Sequence, residues 1–208
     1  MRKKLTLQNT KQSISKPLLL LISFIEGGAV MIIELLGAKI IAPYYGTSLF
    51  VWSSVLGVTL GALALGYFLG GQISKKYPGE HSLFIVLLVG AFFAGIAPLI
   101  APYIMIFTDP MGVRLGSLVS VLLYLLVPIT CMGTVSPIII GLINEDNASA
   151  GTSAGTVYAI STVGGILATF FAGFYMIPEM GIKLSAYLTA GLLGGIALFY
   201  FLTKKKVV

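Results

Sequence analysis

Long uninterrupted apolar runs are the feature of this sequence that most constrains its fold. Each is roughly 25 residues long, whereas a helix needs about 20 apolar residues to cross the hydrocarbon core of a bilayer. Strands of a membrane barrel would instead alternate apolar and polar residues over about 10 positions. Because a helix satisfies its backbone hydrogen bonds internally, the pattern predicts an all-α polytopic bundle of six transmembrane helices. The runs cover residues 17–41, 49–73, 83–107, 118–142, 152–177 and 182–202.

The composition excludes several classes of protein. Charged residues make up 10% of the 208 residues and hydrophobic residues 57%, whereas soluble domains carry about 25% charged residues. A soluble enzyme, a disordered chain and a nucleic-acid binder are therefore excluded, and the lipid bilayer is the expected environment. The first run is too long for the core of a signal peptide and lacks a clear cleavage site, so we expect it to be retained.

The distribution of basic residues predicts the orientation. On the six-helix layout with the N-terminus inside, the cytoplasmic segments hold 10 of the 13 Lys and Arg residues and the outer segments hold 3. Such a bias is typical of cytoplasmic loops. We therefore expect a basic cytoplasmic tail at 1–16, a transmembrane domain at 17–203 and a second cytoplasmic tail at 204–208, in a bacterial or archaeal inner membrane. The glycosylation pattern at Asn147 falls on the inner side, so we expect no glycan there.

Small residues recur at four-residue spacing in the second, fifth and sixth runs. Such stripes let helix backbones approach closely inside a membrane. Packing within the chain, a dimer seam and a sliding surface for transport remain open as interpretations. The glycines that we expect to pack helices are Gly57, Gly61, Gly66, Gly70, Gly165 and Gly173.

Two acidic residues of the first run are the sharpest functional signal. Glu26 lies nine residues after Pro17, which places it roughly 13 Å into a helix and near the bilayer centre. Ionisable residues at such depth usually face the bundle interior and either pair or act. Glu34 lies eight residues further on, about 80° away around the helix, so both could border one cavity. A hydrogen-bonded structural role for Glu26 and an interfacial one for Glu34 remain open, and Lys39 is expected to anchor the outer interface.

No soluble-type catalytic motif is present in the sequence. The single histidine, His81, stands in a loop segment, and the single cysteine, Cys131, lies inside an apolar run. We therefore expect no metal site and no cofactor. Pro137 follows Thr134 and Ser136, whose hydroxyl groups could bond to backbone carbonyls that the proline leaves free. A functional kink there remains an alternative to an ordinary membrane proline.

Several segments resemble a known family. The block at 34–52, from Glu34 to Trp52, the glycine-rich stretch at 57–71 and the later segments at 133–137, 158–165 and 173–178 are similar to the membrane domain of spermidine synthase-like integral membrane proteins. That domain in turn resembles half of a major facilitator transporter. The family often carries a cytosolic aminopropyltransferase domain, which this sequence lacks. The resemblance therefore implies a membrane domain without the enzymatic activity.

These observations favour a small transporter, or the membrane half of one, for a polar or cationic small molecule. The link to polyamines comes only from the resemblance. We expect Glu26 and Glu34 to bind a cation or a proton, and Ser136, Ser161 and Thr162 to line the route. The alternative is a non-transporting scaffold that partners a separate aminopropyltransferase-like enzyme, and a membrane-embedded enzyme comes third. The halved size also predicts a homodimer.

Overall fold

The computed structural model describes residues 14–143 and 150–204, which are almost entirely helical. Two helices begin the chain, α1 at Lys16–Tyr45 and α2 at Leu49–Lys76. Helix α3 at Glu80–Thr108 continues through a 3-10 turn at Asp109–Met111 into α4 at Gly112–Ile143. Helix α5 at Ala150–Phe171 continues through a π-helical turn at Ala172–Met176 into α6 at Ile177–Lys204.

The number of separate helices corrects the sequence expectation. Within the described ranges, four helical runs are long and apolar enough to cross a membrane: Lys16–Tyr45, Leu49–Lys76, Glu80–Ile143 and Ala150–Thr203. The chain is thus a multi-pass membrane protein. The prediction of six separate transmembrane helices is wrong, and with it the resemblance to half of a major facilitator transporter.

The difference arises at two expected turns, where helical hydrogen bonding continues from one element into the next. Pro110 is the second residue of the 3-10 turn, and Pro178 is the second residue of α6. The chain changes direction instead at Gly112 (φ 71°) and Gly181 (φ 77°), in a backbone region that glycine adopts without steric cost.

The basic-residue count was made on the six-helix layout and does not carry over to four segments. Most of the two basic tails lies outside the described residues, as does the glycosylation pattern at Asn147.

Helices α1 and α4 form the centre of the bundle. Helix α2 packs along α4, α5 packs along α1, and α3 packs against both α4 and α6. The buried core is therefore built mainly from α1, α3 and α4, with large side chains such as Leu19, Leu87 and Met132. Helix α5 is much more exposed, since only Val157, Gly164 and Gly165 are buried along it.

Candidate functional site

Glu26 lies on the central helix α1 with only 3% of its surface exposed. It stands ten residues after the helix begins at Lys16, roughly 15 Å along the axis. This distance along the helix is close to the one expected from the sequence. An ionised carboxylate in such surroundings is costly unless it has hydrogen-bond or charged partners. The hydrogen-bond partners of Glu26 therefore determine whether it can be ionised or bind a cation.

Two serine hydroxyl groups reach the same oxygen of that carboxyl group. Ser136 Oγ on α4 donates to Glu26 Oε2 at 3.5 Å, and Ser161 Oγ on α5 donates to it at 3.4 Å. Both distances are long for O–H···O bonds, which are usually 2.5–3.0 Å. The carboxyl group therefore joins three helices through contacts that another ligand can replace at modest cost.

A cavity of about 210 Å³ lies beside Glu26. Helices α1, α2 and α5 supply its walls, and the cavity is open on one side. Thr162 lines it, although its hydroxyl group donates to the backbone carbonyl of Tyr158 at 2.7 Å. The lining is formed by Glu26, Gly27, Val30, Met31, Leu63, Tyr67, Ser161, Thr162, Gly165, Ile166 and Thr169.

The structure does not bring Glu34 into this lining. Glu34 is half-buried, two helical turns beyond Glu26 on α1. Lys39 follows it and is exposed. Of the residues expected to bind ligand, Glu26, Ser136, Ser161 and Thr162 therefore meet at one place, whereas Glu34 stands apart.

The glycines expected to pack helices fall into two groups. Gly66 and Gly70 lie against α4, where an added Cβ would come within 2.5 Å of the Thr130 carbonyl oxygen and 2.6 Å of the Thr134 carbonyl oxygen. Gly165 lies against α1, with Met31 Cγ at 2.9 Å from its ideal Cβ position. A Cβ added at Gly57, Gly61 or Gly173 would meet no atom of another described element within 4 Å.

Two further glycines, Gly27 and Gly164, position the candidate site. A Cβ at Gly27 would overlap the Ser161 backbone carbonyl, and one at Gly164 would overlap the Phe24 carbonyl. The pair Gly27–Gly28 directly after Glu26 was the available signal, because small residues beside a buried polar group indicate a close helix contact.

The expected role of the hydroxyl groups near Pro137 is also corrected. A proline at position 137 leaves the carbonyl of Gly133 without its helical donor. Thr134 Oγ1 instead donates to the Cys131 carbonyl at 2.8 Å, and Ser136 donates to Glu26. The hydroxyl group of Ser136 thus serves the candidate site.

Two aromatic residues beside the site were not predicted. Tyr67 on α2 lines the cavity, and its ring packs edge-to-face on Tyr158 of α5 with 5.6 Å between ring centroids. Both tyrosines lie within electrostatic reach of Glu26. Only the packing of α2 and α5 around α1 could identify this pair, because 91 residues separate them in the sequence.

A second buried carboxyl group lies at the start of α3. Glu80 Oε1 accepts the backbone N–H of Ile14 at 2.7 Å, and Tyr200 on α6 donates its hydroxyl group to Glu80 Oε2 at 3.5 Å. These bonds tie the beginning of α1 and the end of α6 to α3. Glu80 precedes the apolar run predicted at 83–107 and lies in the first turn of α3, where a negative charge is favourable.

Metal ligation finds little support in the donor set. Within 14–143 and 150–204, His, Cys, Asp and Glu residues form no group of three or more that could hold a metal ion. Cys131 is half-buried with a free thiol. The chemistry at Glu26 is therefore that of one carboxyl group, two serine hydroxyl groups and an aromatic ring in a largely apolar cavity.

Comparison with known proteins adds no relative to this description: no family model, no curated protein and no solved structure matches the chain.

Proposed function

We propose that this protein is a small membrane transporter, or part of one, for a cationic small molecule. The observation that supports the proposal is the buried carboxyl group of Glu26 beside a cavity in the apolar part of the bundle. Acidic residues inside membrane helices are costly and usually belong to substrate, ion or proton pathways. The resemblance to spermidine synthase-like membrane domains suggests a polyamine as one class of substrate.

The long hydrogen bonds at Glu26 suit a site that exchanges partners. Ser136 and Ser161 donate to the carboxyl group from two different helices. An entering cation can replace the Ser161 hydroxyl group on that oxygen, so its binding loosens α5 from α1 at this point. A transport cycle requires that binding of the substrate favours one arrangement of the helices over another.

A homodimer is part of the proposal. Gly57 and Gly61 form an exposed small-residue surface on α2, where an added Cβ would meet no other element of the described chain within 4 Å. In a membrane such surfaces are typical of helix contacts. The cavity beside Glu26 is bordered by the same helix through Leu63 and Tyr67, so a second copy on α2 would stand next to the site.

We further propose that the protein resides in a bacterial or archaeal inner membrane with both termini in the cytoplasm. The support is the basic composition of the two ends, with Arg2, Lys3, Lys4, Lys11 and Lys16 at one end and Lys204, Lys205 and Lys206 at the other. Basic segments next to membrane helices are retained on the cytoplasmic side.

The test is charge movement across reconstituted membranes. Proteoliposomes adsorbed on a solid-supported electrode are exposed in turn to protons, sodium, potassium, butylamine, 1,4-diaminobutane and spermidine. At least one of these cations should produce a transient current in the native protein. Glu26→Gln should abolish that current while leaving the protein folded, because an amide oxygen also accepts the serine hydroxyl groups.

A matched control is Glu179→Gln, which neutralises an exposed carboxyl group in the first turn of α6. It should leave the current unchanged. If no cation produces a current that depends on Glu26, the transport proposal is wrong. The alternative, a scaffold for a separate aminopropyltransferase-like enzyme, would then be tested by reconstituting the protein with such an enzyme.

A further inference from the structure

We infer that the cavity beside Glu26 binds a compact alkyl monoamine as its ammonium ion, in preference to a polyamine or a bare metal ion. The inference rests on the proposed function, because it takes Glu26 as the cation-binding group. It departs from the polyamine class that the sequence resemblance suggests. Three features of the cavity lining support the inference: the number of carboxyl groups, the aromatic ring of Tyr67 and the apolar walls.

The number of carboxyl groups in the lining limits the number of ammonium groups that the cavity can bind. Among the described residues that line the cavity, Glu26 is the single acidic one, and Glu34 lies outside the lining. A polyamine carries several ammonium groups, and each would need a partner because an unpaired charge in apolar surroundings is costly. One carboxyl group therefore matches one ammonium group.

The hydrogen-bonding capacity of the site also matches a primary ammonium group. An alkylammonium ion has three N–H donors and no acceptor. Glu26 and Ser161 line the cavity, and the carboxylate oxygens of one and the hydroxyl oxygen of the other can accept hydrogen bonds. The nearby Ser136 hydroxyl group can remain on Glu26, because a carboxylate oxygen accepts more than one hydrogen bond.

Tyr67 adds attraction for an organic cation. Its ring lines the cavity and is held edge-to-face by Tyr158 on the neighbouring helix. Aromatic faces carry negative potential and attract ammonium groups, more strongly when the pair is shielded from water. A tyrosine at this position thus favours an ammonium ion over a neutral molecule of the same shape.

The remaining walls are apolar and suit an alkyl tail. Val30 and Met31 on α1, Leu63 on α2 and Ile166 on α5 surround a volume of about 210 Å³. A bare metal ion would leave most of this volume unfilled and would require more oxygen ligands, since calcium takes six to eight. A short alkyl chain removes its own surface and that of these side chains from water.

The experiment measures binding to the purified full-length protein by isothermal titration calorimetry. The probes are butylamine, 1,4-diaminobutane, butanol and sodium chloride. Butylamine should bind, and butanol, which has a similar shape without the charge, should show no measurable heat of binding. We expect 1,4-diaminobutane to bind at least ~10-fold more weakly, because its second ammonium group would face apolar side chains.

Variants separate the three contributions. Glu26→Gln should weaken butylamine binding about 10- to 100-fold, as expected for the loss of a charged hydrogen-bond partner. Tyr67→Leu should weaken it about 2- to 30-fold, whereas Tyr67→Phe should retain it, because the ring supplies the attraction. Glu179→Gln is the control that should bind as the native protein does, and thermal unfolding of each variant confirms that it is folded.

Several results would overturn the inference. Tighter binding of 1,4-diaminobutane than of butylamine, equal binding of butanol, or an unchanged affinity in a folded Tyr67→Leu variant each contradicts it. If no amine binds while sodium or protons still give a Glu26-dependent current, the inference fails and the proposed function stands. If no cation at all gives such a current, the proposed function fails as well.

Discussion

Gly27 of α1 lies against the backbone carbonyl of Ser161 in α5, so closely that a Cβ atom at position 27 would overlap that oxygen. The contact brings the Ser161 hydroxyl group to 3.4 Å from the carboxyl oxygen of the preceding residue, Glu26. The close helix contact at Gly27 therefore also shapes the candidate site, because it lets Ser161 of α5 approach Glu26 as a hydrogen-bond donor.

Gly27→Ala should destabilise the protein by about 1–3 kcal/mol, because the added methyl group forces α1 and α5 apart. The expected result is a lower apparent melting temperature in detergent. The matched control is Gly191→Ala on α6, where the structure leaves open space around the glycine. That variant should be as stable as the native protein or slightly more so, because alanine favours a helix more than glycine does. Equal stability of the native protein and Gly27→Ala would contradict the close contact.

Gly61→Leu and Gly165→Leu should have different effects. Gly165 packs against Met31 of the same chain, so a leucine there should lower the thermal stability of the monomer. Gly61 faces open space, so a leucine there should leave the monomer folded and weaken only the proposed dimer. Crosslinking in native membranes and mass measurement in mild detergent check both. A protein that is monomeric by both methods would refute the dimer.

Tyr124→Phe should lower the free energy of unfolding by about 0.5–1.5 kcal/mol. Tyr124 is 2% exposed and donates its hydroxyl group to the Gly37 carbonyl at 2.7 Å, which links α4 to α1. Phenylalanine keeps the ring and removes this bond. Denaturation in detergent measures the change. The control is Tyr103→Phe, since Tyr103 is 76% exposed and its replacement should be neutral.

Reporter proteins fused before Met1 and after Val208 should both report the cytoplasmic side. The number of apolar segments in the described ranges is even, which favours both ends on one side. The basic residues at both ends favour the cytoplasm as that side. A phosphatase reporter that is active only when exported, paired with a fluorescent one, makes the measurement. Opposite sides for the two ends would contradict it.

The sequence by itself determined that the chain is a helical membrane protein, since runs of roughly 25 apolar residues leave no soluble alternative. It also predicted how far along the first helix Glu26 lies, because the rise per residue of a helix fixes distance along its axis. The sequence did not reveal how many helical runs the chain forms. Proline and glycine residues in the sequence resemble chain breaks, whereas Pro110 and Pro178 lie within continuous helical runs.

Only the tertiary structure decided which predicted residues share a site. Glu26, Ser136 and Ser161 come from three helices, and their meeting depends on how closely α5 approaches α1 at Gly27 and Gly164. Glu34 was an equally plausible partner from helix geometry, and it lies outside the cavity. The spacing of residues along one helix determines which of them share a face of that helix. The residues that this face contacts lie far away in the sequence, so they are known only once the packing of the helices is known.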